Sequence, residues 1–369
     1  MIPRERVLAA LQHKPTDRIP YCEHLVDLQV GLESLAAEQA APLAPLTTRL
    51  QELVAAAGPG MLGPGADEAM TLMGELDYRV SVALGRDNIT FWGGSAPFQD
   101  AGTYLLDPAH PELGASADGI LKTRDDVCKM HFRDPMDVIE PAKQFLARKG
   151  DLAACALVFM GIDPCWHSMG FETFCIASIE DPGLVDTFLG PISEWYAAVT
   201  EELCKLDFDF IWAADDIAFK TQPLFSPRVY RNVLLPHTRK VAARITKPWI
   251  YHSDGNLLPI WDDLTSQGMN AIHPLEAGSM DIGMLKARYG EQLAFCGGVD
   301  LRILEAGTPE QTVVETRRLI DTMGPGGGYL LCTSNSVTPY VKPENLSAML
   351  ATLREYGRYP LQAERAPGA

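Results

Sequence analysis

Three residues of types that bind metal ions stand at the ends of two apolar runs. His252 and Asp254 follow the run at 248–251, and Cys332 closes the run at 328–332. Because side chains two positions apart on an extended strand point to the same side, His252 and Asp254 could ligate one ion. A set of nitrogen, oxygen and sulfur donors fits zinc, which in catalytic sites keeps one position open for substrate.

Each of these residues also has an ordinary structural use. A cysteine in an apolar run is commonly a buried core thiol, and a histidine at a strand end can simply be hydrogen bonded. Asp254 precedes Gly255, an arrangement typical of a turn or of a helix N-cap. The spacing alone therefore leaves both the zinc site and the structural interpretation open.

The elements that must position these residues are short apolar runs, each followed by polar or Gly-rich residues and then by a helical pattern. The runs lie at 18–24, 153–161, 208–216, 248–255, 270–276, 293–300 and 328–335, with a weaker one at 87–94. Continuous apolar runs that alternate with helical segments indicate parallel βα units buried on both faces.

Eight such units predict an α/β fold with one (β/α)8 TIM-type barrel over residues 1–360. An N-terminal helical excursion over about 29–86, interrupted by a Gly-rich stretch at 58–65, and a flexible tail at 361–369 complete the prediction. A doubly wound open sheet is the rival. It normally carries a Gly-rich phosphate turn after its first strand, and the run at 18–24 has none.

The active site of such a barrel lies at the carboxyl ends of its strands, so polar and aromatic residues near the run ends are the candidates. Asp216 is a candidate general acid or base, and Glu276 a candidate catalytic carboxylate that orients His252. The alternative for Asp216 is a helix N-cap, and the alternative for Glu276 is a surface ion pair. Cys296 lies inside its strand and is expected to be buried without touching a metal. The candidate substrate-binding residues are Glu23, His24, Phe159, Trp166, Trp212 and Asn335.

Composition narrows the class of protein. The formal net charge of -17 argues against a nucleic-acid-binding protein, because phosphate contacts need a Lys/Arg footprint. The sequence contains no apolar run of about 18 residues, the length that a membrane span requires, so no membrane span is predicted. The eight cysteines have no paired spacing such as CxxC, which argues against a disulfide framework. The sequence thus predicts a cytoplasmic protein, and it leaves room for a homodimer.

Several motifs in this order resemble the uroporphyrinogen decarboxylase superfamily. They include "RERVLAALQHKPTDRIP", "LFSPRVYRNVLLPH", "HSDGNLLPIWDDLTSQGMNAIHPLE" and "GGGYLLCTSNSV". The resemblance runs from about residue 3 to 357 and implies a (β/α)8 barrel. The superfamily has two branches, the cofactor-free decarboxylases and the zinc-dependent methyltransferases of corrinoid-linked one-carbon metabolism.

The decarboxylase branch resembles this chain less closely. Near its first strand that branch has an Arg-rich "RQAGRY"-type segment that suits a polyanionic tetrapyrrole, whereas this chain reads "IPYCEHLVDLQ", with Glu23 and Asp27. The resemblance therefore implies that a substrate with many carboxylates would be repelled.

The methyltransferase branch has a zinc motif of His-x-Cys followed by a distant Cys. His252 and Cys332 match it, and Asp254 stands where that branch has cysteine. Either Asp254 still ligates zinc or the polar cluster binds a substrate directly.

This resemblance implies a methyltransferase that moves a methyl group between a methoxy compound or thiol and a corrinoid such as methylcobalamin. The "DxHxxG" pattern of corrinoid domains is missing, so the corrinoid is expected on a separate partner protein. The alternatives are a decarboxylase or lyase, with Asp216 or Asp254 as proton donor, and a non-catalytic barrel that binds a small ligand.

Overall fold

A parallel β-sheet whose seven strands follow chain order is the centre of the fold. A computed structural model describes residues 1–57, 66–99, 101–110, 113 and 117–361. The strands are β1 Asn88–Gly94, β2 Ala153–Phe159, β3 Phe210–Ala214, β4 Trp249–His252, β5 Ala271–His273, β6 Ala294–Cys296 and β7 Tyr329–Leu330. They coincide with seven of the eight predicted apolar runs, and helices alternate with them, which confirms the TIM-type α/β prediction.

The helices precede, separate and follow these strands. Before β1 lie α1 Pro3–Leu11, α2 Leu28–Glu33, α3 Ala37–Ala40, α4 Ala44–Ala57 and α5 Ala66–Leu84. Between β1 and β4 lie α6 Ile139–Leu146, α7 Ile162–Met169, α8 Phe171–Glu180, α9 Pro182–Lys205, α10 Pro227–Val229 and α11 Leu235–Ala242. The remainder are α12 Trp261–Thr265, α13 Ile282–Tyr289, α14 Leu301–Ala306, α15 Pro309–Met323 and α16 Pro343–Tyr356. Within the described ranges, none of these helices has the length and apolar character that crossing a membrane requires.

The first predicted strand is replaced by a short segment at 20–23 that lies between β7 and β1. Leu331 N donates to Pro20 O, and Cys22 N donates to Leu331 O. On the other side, Tyr21 O accepts from Asp87 N. This segment occupies the eighth strand position of the barrel.

Side chains interrupt the main-chain ladder of this segment, and for that reason it is not a continuous strand. Pro20 has no N–H to donate. Tyr21 N donates to Oδ2 of Asp87 at 2.8 Å, and Glu23 N donates to Oδ1 of Asn88 at 3.0 Å. The prediction of eight full strands is corrected on this point, although the eighth position is filled.

The barrel interior is a separate apolar cluster made largely of small residues. Its strand members alternate with residues that face the surrounding helices, as the two-residue period of a strand requires. The interior members are Val7, Ala10, Leu11, Cys22, Ala153, Cys155, Phe210, Trp212, Ile250, Ala271, Ala294, Cys296, Leu330 and Cys332. Because Val7, Ala10 and Leu11 belong to α1, that helix closes one end of the barrel.

The predicted tail and the predicted N-terminal helical excursion are each described in part by the structure. Leu361, expected in the flexible tail, is fully buried in the outer core. The rest of that tail, 362–369, lies outside the described residues, as does the Gly-rich interruption at 58–65. The described helices on either side of that interruption, α4 and α5, agree with the predicted N-terminal helical excursion.

Candidate active site

Inward-facing positions at the carboxyl ends of four neighbouring strands carry histidine and cysteine. Because alternate residues of a strand face the barrel interior, the residue two positions after each interior apolar residue also faces inward. These pairs are Ile250 and His252, Ala271 and His273, Ala294 and Cys296, and Leu330 and Cys332. The register of β4 on β5 also places His252 directly opposite His273.

One group of donor atoms consists of His273, Cys296 and Cys332, all buried. Their ligand atoms lie within 4.8 Å of one another. His273 Nε2 is 3.1 Å from Cys332 Sγ. One imidazole nitrogen and two sulfurs around one point form a donor set suited to zinc.

A second group consists of Asp216, His252 and Asp254, whose ligand atoms also lie within 4.8 Å of one another. His252 Nε2 is 3.5 Å from Asp216 Oδ1. The same carboxylate oxygen accepts a hydrogen bond from Asp254 N at 3.1 Å. This group offers oxygen and nitrogen donors, so it is chemically harder than the first.

The two groups meet at a pair of imidazoles. His252 Nδ1 and His273 Nδ1 are 2.7 Å apart, and the rings are stacked with their centroids 4.9 Å apart. The predicted metal ligands are therefore divided, because His252 and Asp254 lie in one group and Cys332 lies in the other. Their role as ligands stays a prediction.

Glu23 is fully buried and holds the end of β7. Its Oε1 accepts from Thr333 N at 2.7 Å, and its Oε2 accepts from Thr333 Oγ1 and from Cys332 Sγ, both at 3.1 Å. Burial raises the pKa of Glu23 to about 7, although the hydrogen bonds from Thr333 and Cys332 favour its ionised form. This predicted substrate-binding residue thus contacts a thiol of the first donor group.

His24 and Asn335 line the mouth beside the donor groups. His24 Nε2 is 2.9 Å from Ser336 Oγ, and its ring centroid lies 5.3 Å from that of His252. Asn335 Nδ2 donates to Asp254 Oδ2 at 2.7 Å. His24 Nδ1 and Asp254 Oδ1 are buried and have no hydrogen-bond partner within the described residues. These two atoms therefore have hydrogen-bonding capacity that the described residues do not use.

The carboxylate that contacts His252 is Asp216, and Glu276 does not hold this position. Glu276 Oε2 accepts from Gly255 N at 2.9 Å, and its Oε1 pairs with Lys220 at 3.1 Å. The orienting role expected of Glu276 is thereby corrected, because its carboxylate holds the turn after β4. Asp215, the neighbour of Asp216, is buried and points away.

Asp215 caps the start of α7. Its carboxylate oxygens accept from Ile162 N at 3.2 Å and from Asp163 N at 2.9 Å. Adjacent residues at a strand end point in opposite directions, so only Asp216 of this pair contacts the histidines. Burial raises the pKa of Asp215 well above its usual range.

The predicted aromatic residues differ in burial and in what they contact. Trp212 is fully buried below the histidines, with its ring edge-on to that of His273 at 4.8 Å between centroids. Trp166 is half-buried and donates from Nε1 to Asp216 O at 3.2 Å. Phe159, also half-buried, packs near Tyr196, with 6.1 Å between ring centroids. Trp212 and Trp166 therefore border the donor groups, and Phe159 contacts α9.

The protonation of the site follows from burial and from neighbouring charges. Burial lowers the pKa of His273 well below its usual range, and the charge of His252 acts in the same direction. Burial alone lowers the pKa of His252, but hydrogen bonding to Asp216 and the charge of Asp216 outweigh it and raise that pKa. Burial raises the pKa of Asp254 to about 6 and that of the Cys332 thiol well above its usual range.

A cavity of about 520 Å³ lies between β1, α5 and α6, beside the donor groups and not among them. Its lining includes Phe91, Trp92, Phe145 and Trp195. Trp92 also approaches the site, since its ring centroid is 6.0 Å from that of His24. The side chain of Trp92 thus lies between this apolar cavity and the histidines.

The chemistry of the first donor group fits a zinc ion. It supplies one nitrogen and two sulfurs, and its three residues come from three different strand ends, so the backbone of the barrel fixes their relative positions. A thiol must lose its proton to ligate a metal. Sequence reasoning missed His273 and Cys296 as donors, although the two-residue period points to both.

Comparison with known proteins gives one family and one architecture. The uroporphyrinogen decarboxylase (URO-D) family model matches residues 165–356. The chain is similar in fold to a methyltransferase from Methanosarcina mazei, with a TM-score of 0.66 at 18% sequence identity, covering 96% of this chain and 99% of that chain.

Similarity to curated relatives covers less of the chain. Uroporphyrinogen decarboxylase from Aromatoleum aromaticum is 28% identical over 145 residues, which is 37% of this chain and 39% of the relative. The enzyme of the same name from an Azoarcus species is 34% identical over 80 residues, 22% of this chain and 22% of the relative. The chain thus spans about two fifths or less of the length of these relatives.

Proposed function

Because the chain belongs to the uroporphyrinogen decarboxylase family, we propose that it is a methyltransferase that acts between a small organic substrate and a corrinoid on a partner protein. The substrate is a thiol or a methoxy compound. The single observation that carries the proposal is the buried group of His273, Cys296 and Cys332 at the strand ends. Zinc held by these three residues would supply a Lewis acid that activates the thiol sulfur or the ether oxygen.

The charge of the mouth supports this branch of the family over the decarboxylation of a polyanion. Glu23, Asp163, Asp216 and Asp254 are all buried or half-buried around the donor groups. A substrate with many carboxylates would meet repulsion from these side chains. A small neutral thiol or ether meets no such repulsion.

Asp254 is the residue that exchanges a proton with the substrate. A bound corrinoid would supply the methyl group and keep the electron pair of the broken bond. In transfer to a thiol, Asp254 Oδ1 would accept the S–H proton as the sulfur takes the methyl group. In the reverse sense, Asp254 Oδ1 returns a proton to the oxygen that leaves a methyl ether. Its pKa of about 6 suits both directions near neutral pH.

Other residues of the chain position these groups. Asn335 fixes Asp254 through Oδ2 and so leaves Oδ1 free. Glu23 holds Cys332 and Thr333. The fully buried Trp212 underlies the histidines and helps to exclude water from them. Exclusion of water strengthens the polar interactions within the site.

The test is methyl transfer from methylcobalamin to a small thiol such as 2-mercaptoethanol, followed by the absorbance change of the corrinoid and by mass spectrometry of the thioether. We expect turnover that depends on protein concentration, that zinc restores after chelation, and that Cys332→Ala abolishes. The reverse test supplies a methoxy compound and reduced corrinoid. Failure of both reactions with zinc-loaded protein would contradict the proposal.

Cofactor-free decarboxylation is the second candidate, and the raised pKa of Asp254 favours it because a partly protonated carboxyl can donate a proton to a carbanion. The same assays separate the two candidates. A decarboxylase releases CO2 from a small carboxylic acid at full rate in the presence of chelator and without corrinoid. The proposed methyltransferase releases no CO2, and its turnover needs both the metal and the corrinoid.

A further inference from the structure

The cavity of about 520 Å³ beside the donor groups has a mainly apolar wall. Side chains from β1, α5, α6 and α9 and from the turn before α6 form this wall. They are Met73, Ile89, Phe91, Trp92, Val138, Pro141, Phe145 and Trp195. A pocket of this size with aromatic and aliphatic walls and a few polar groups suits a small organic molecule.

Two guanidinium groups also line the cavity. Arg148, just after α6, is half-buried, and its side chain makes no ion pair or hydrogen bond with the residues that the structure describes. Arg133 is exposed and donates from Nε to Phe98 O at 3.3 Å. The five N–H groups of a guanidinium are all donors. Arg148 therefore has its full donor capacity to offer to an anionic group in the cavity.

The carboxylates of the lining do not neutralise Arg148. Asp77 pairs with the buried Arg86 at 3.5 Å. Asp134 Oδ1 accepts a hydrogen bond from Met136 N at 2.9 Å. Asp137 is exposed to solvent, which screens its charge. Of the charged groups that line the cavity, Arg148 is thus both partly shielded from solvent and unpaired within the described chain.

A glycine in α5 leaves room for this guanidinium. Gly74 lies in the interior of α5 and lines the cavity, although glycine inside a helix costs about 1 kcal/mol relative to alanine. A Cβ atom at this position would lie 3.3 Å from Arg148 Nη1, which is closer than ordinary van der Waals contact. The absence of a side chain at Gly74 therefore lets the guanidinium lie against α5 at the edge of the cavity.

We propose that this cavity is a second small-molecule site, which binds an apolar monocarboxylate with its hydrocarbon part among the aromatic side chains and its carboxylate on Arg148. A guanidinium can bind a carboxylate through two parallel hydrogen bonds. The site goes beyond the proposed methyl transfer and needs neither metal nor corrinoid. Trp92 forms a wall between the two sites, since it lines the cavity and its ring centroid lies 6.0 Å from that of His24.

The experiment is calorimetric titration of the protein with 2-naphthoate, a bicyclic aromatic carboxylate. A chelator is present throughout, so that the carboxylate cannot bind through a metal ion at the mouth. We expect saturable binding of one equivalent below millimolar concentration. The neutral 2-naphthamide has the same shape and should bind about 10- to 100-fold more weakly, because it lacks the charge that strengthens a hydrogen bond to a guanidinium.

Four variants locate the site. Arg148→Met keeps an apolar stem without the charge, so it should weaken 2-naphthoate about 10- to 100-fold and leave 2-naphthamide unchanged. Arg133→Met should cost less than about tenfold, because an exposed charge is screened. Met73→Trp places a larger side chain in the cavity and should weaken both compounds. Arg228→Met is the control, since Arg228 is exposed in α10 and does not line the cavity. Circular dichroism verifies that each variant is folded.

Several results would overturn the inference. Absence of saturable binding by the folded parent would show that the cavity is not a site for this class of ligand. Equal affinities for 2-naphthoate and 2-naphthamide, or an unchanged affinity for 2-naphthoate in Arg148→Met, would show that no guanidinium reads the carboxylate. Unchanged binding in Met73→Trp would place the ligand elsewhere. A protein that binds 2-naphthoate as expected and transfers no methyl group contradicts only the proposed function.

Discussion

Asn335 donates a hydrogen bond from Nδ2 to Oδ2 of Asp254, with 2.7 Å between the two atoms. Asp254 follows β4 and Asn335 follows β7, so this bond joins loops from two distant strands of the barrel. The other carboxylate oxygen, Oδ1, is buried and has no partner within the described residues. Asp254 is thereby held with one oxygen hydrogen bonded and the other unpaired within the described residues.

Asn335→Ala removes a donor that favours the ionised form of Asp254. The pKa of Asp254 should then rise above its value of about 6. For a hydrogen bond worth about 1.5 kcal/mol, the ionised fraction at pH 6 falls roughly five- to tenfold and that at pH 8 changes little.

The measurement is the ratio of kcat/KM at pH 6 to that at pH 8 for methyl transfer to a thiol, in which ionised Asp254 accepts the proton. Asn335→Asp is a poor comparison because it adds charge, so Thr338→Ala serves as the control; the Thr338 hydroxyl bonds Glu305 and the main chain of Tyr340. An unchanged ratio in Asn335→Ala would show that the bond does not set this pKa.

The sequence was sufficient for the architecture because the strands are continuous apolar runs between helices. The strand prediction failed at residues 18–24 because of contacts with residues far away in the chain. The run at 18–24 is as apolar as its neighbours, but Tyr21 and Glu23 donate their main-chain N–H groups to the side chains of Asp87 and Asn88. Contacts between side chains and main-chain groups that are far apart in the chain leave no periodic pattern in the sequence.

The site was only partly predictable from the sequence, because its make-up depends on the register of the strands. His252 and Cys332 were found since each stands at the end of an apolar run. His273 and Cys296 are also inward residues, but the sequence does not say how far one strand is displaced along the next. The register places His252 opposite His273, and it brings Asp216 to His252 in place of Glu276.

Glu23 predicts a pH dependence of stability in the metal-free protein. Burial raises its pKa in the folded state to about 7 from an ordinary value of 4.5. The folded state therefore binds more protons than the unfolded state between these values, so the stability present below pH 4.5 is lost as the pH rises through 7. The loss for this one group is about 3 kcal/mol.

The check is urea unfolding of the parent and of Glu23→Gln at pH 5 and pH 8. The difference between the two pH values should shrink in Glu23→Gln by about 2.5 kcal/mol, because the amide does not ionise and this interval covers most of the titration. Glu291→Gln, at an exposed glutamate, should leave the difference as it is in the parent. Equal pH dependence in Glu23→Gln and the parent would refute this assignment.

Asp87 should stabilise the barrel at the closing segment, residues 20–23, which fills the eighth strand position. This fully buried carboxylate contacts Arg6, accepts from Arg18 Nη2 at 3.0 Å and accepts from Tyr21 N at 2.8 Å. Asp87→Ala leaves these donors without their acceptor, so the free energy of unfolding should fall by about 3 to 5 kcal/mol.

Asp17→Ala is the matched control for this prediction. Asp17 also pairs with Arg6, but its side chain is 45% exposed, so its loss should cost only about 1 kcal/mol. Urea unfolding at neutral pH measures both variants. Equal costs for Asp87→Ala and Asp17→Ala would mean that burial at the closing segment adds nothing to this interaction.

Cys296 is the residue for which sequence and structure make opposite predictions. Taken as a strand residue remote from the metal, Cys296→Ala would leave zinc in place. In the structure, Cys296 belongs to the same donor group as His273 and Cys332. Cys296→Ala and Cys332→Ala should therefore each weaken zinc binding by about a hundredfold or more, beyond the 10- to 100-fold typical of an outer partner.

Competition with a chromophoric chelator measures these affinities, and Cys165→Ala provides the control. Cys165 is equally buried but lies in α7, where its sulfur is 3.9 Å from that of Met169. Its removal should cost about 1 kcal/mol of stability through lost packing and leave zinc affinity unchanged. If Cys296→Ala behaves as Cys165→Ala does, two thiolates do not hold the ion, and Cys332 must find its partner ligands among His252 and Asp254.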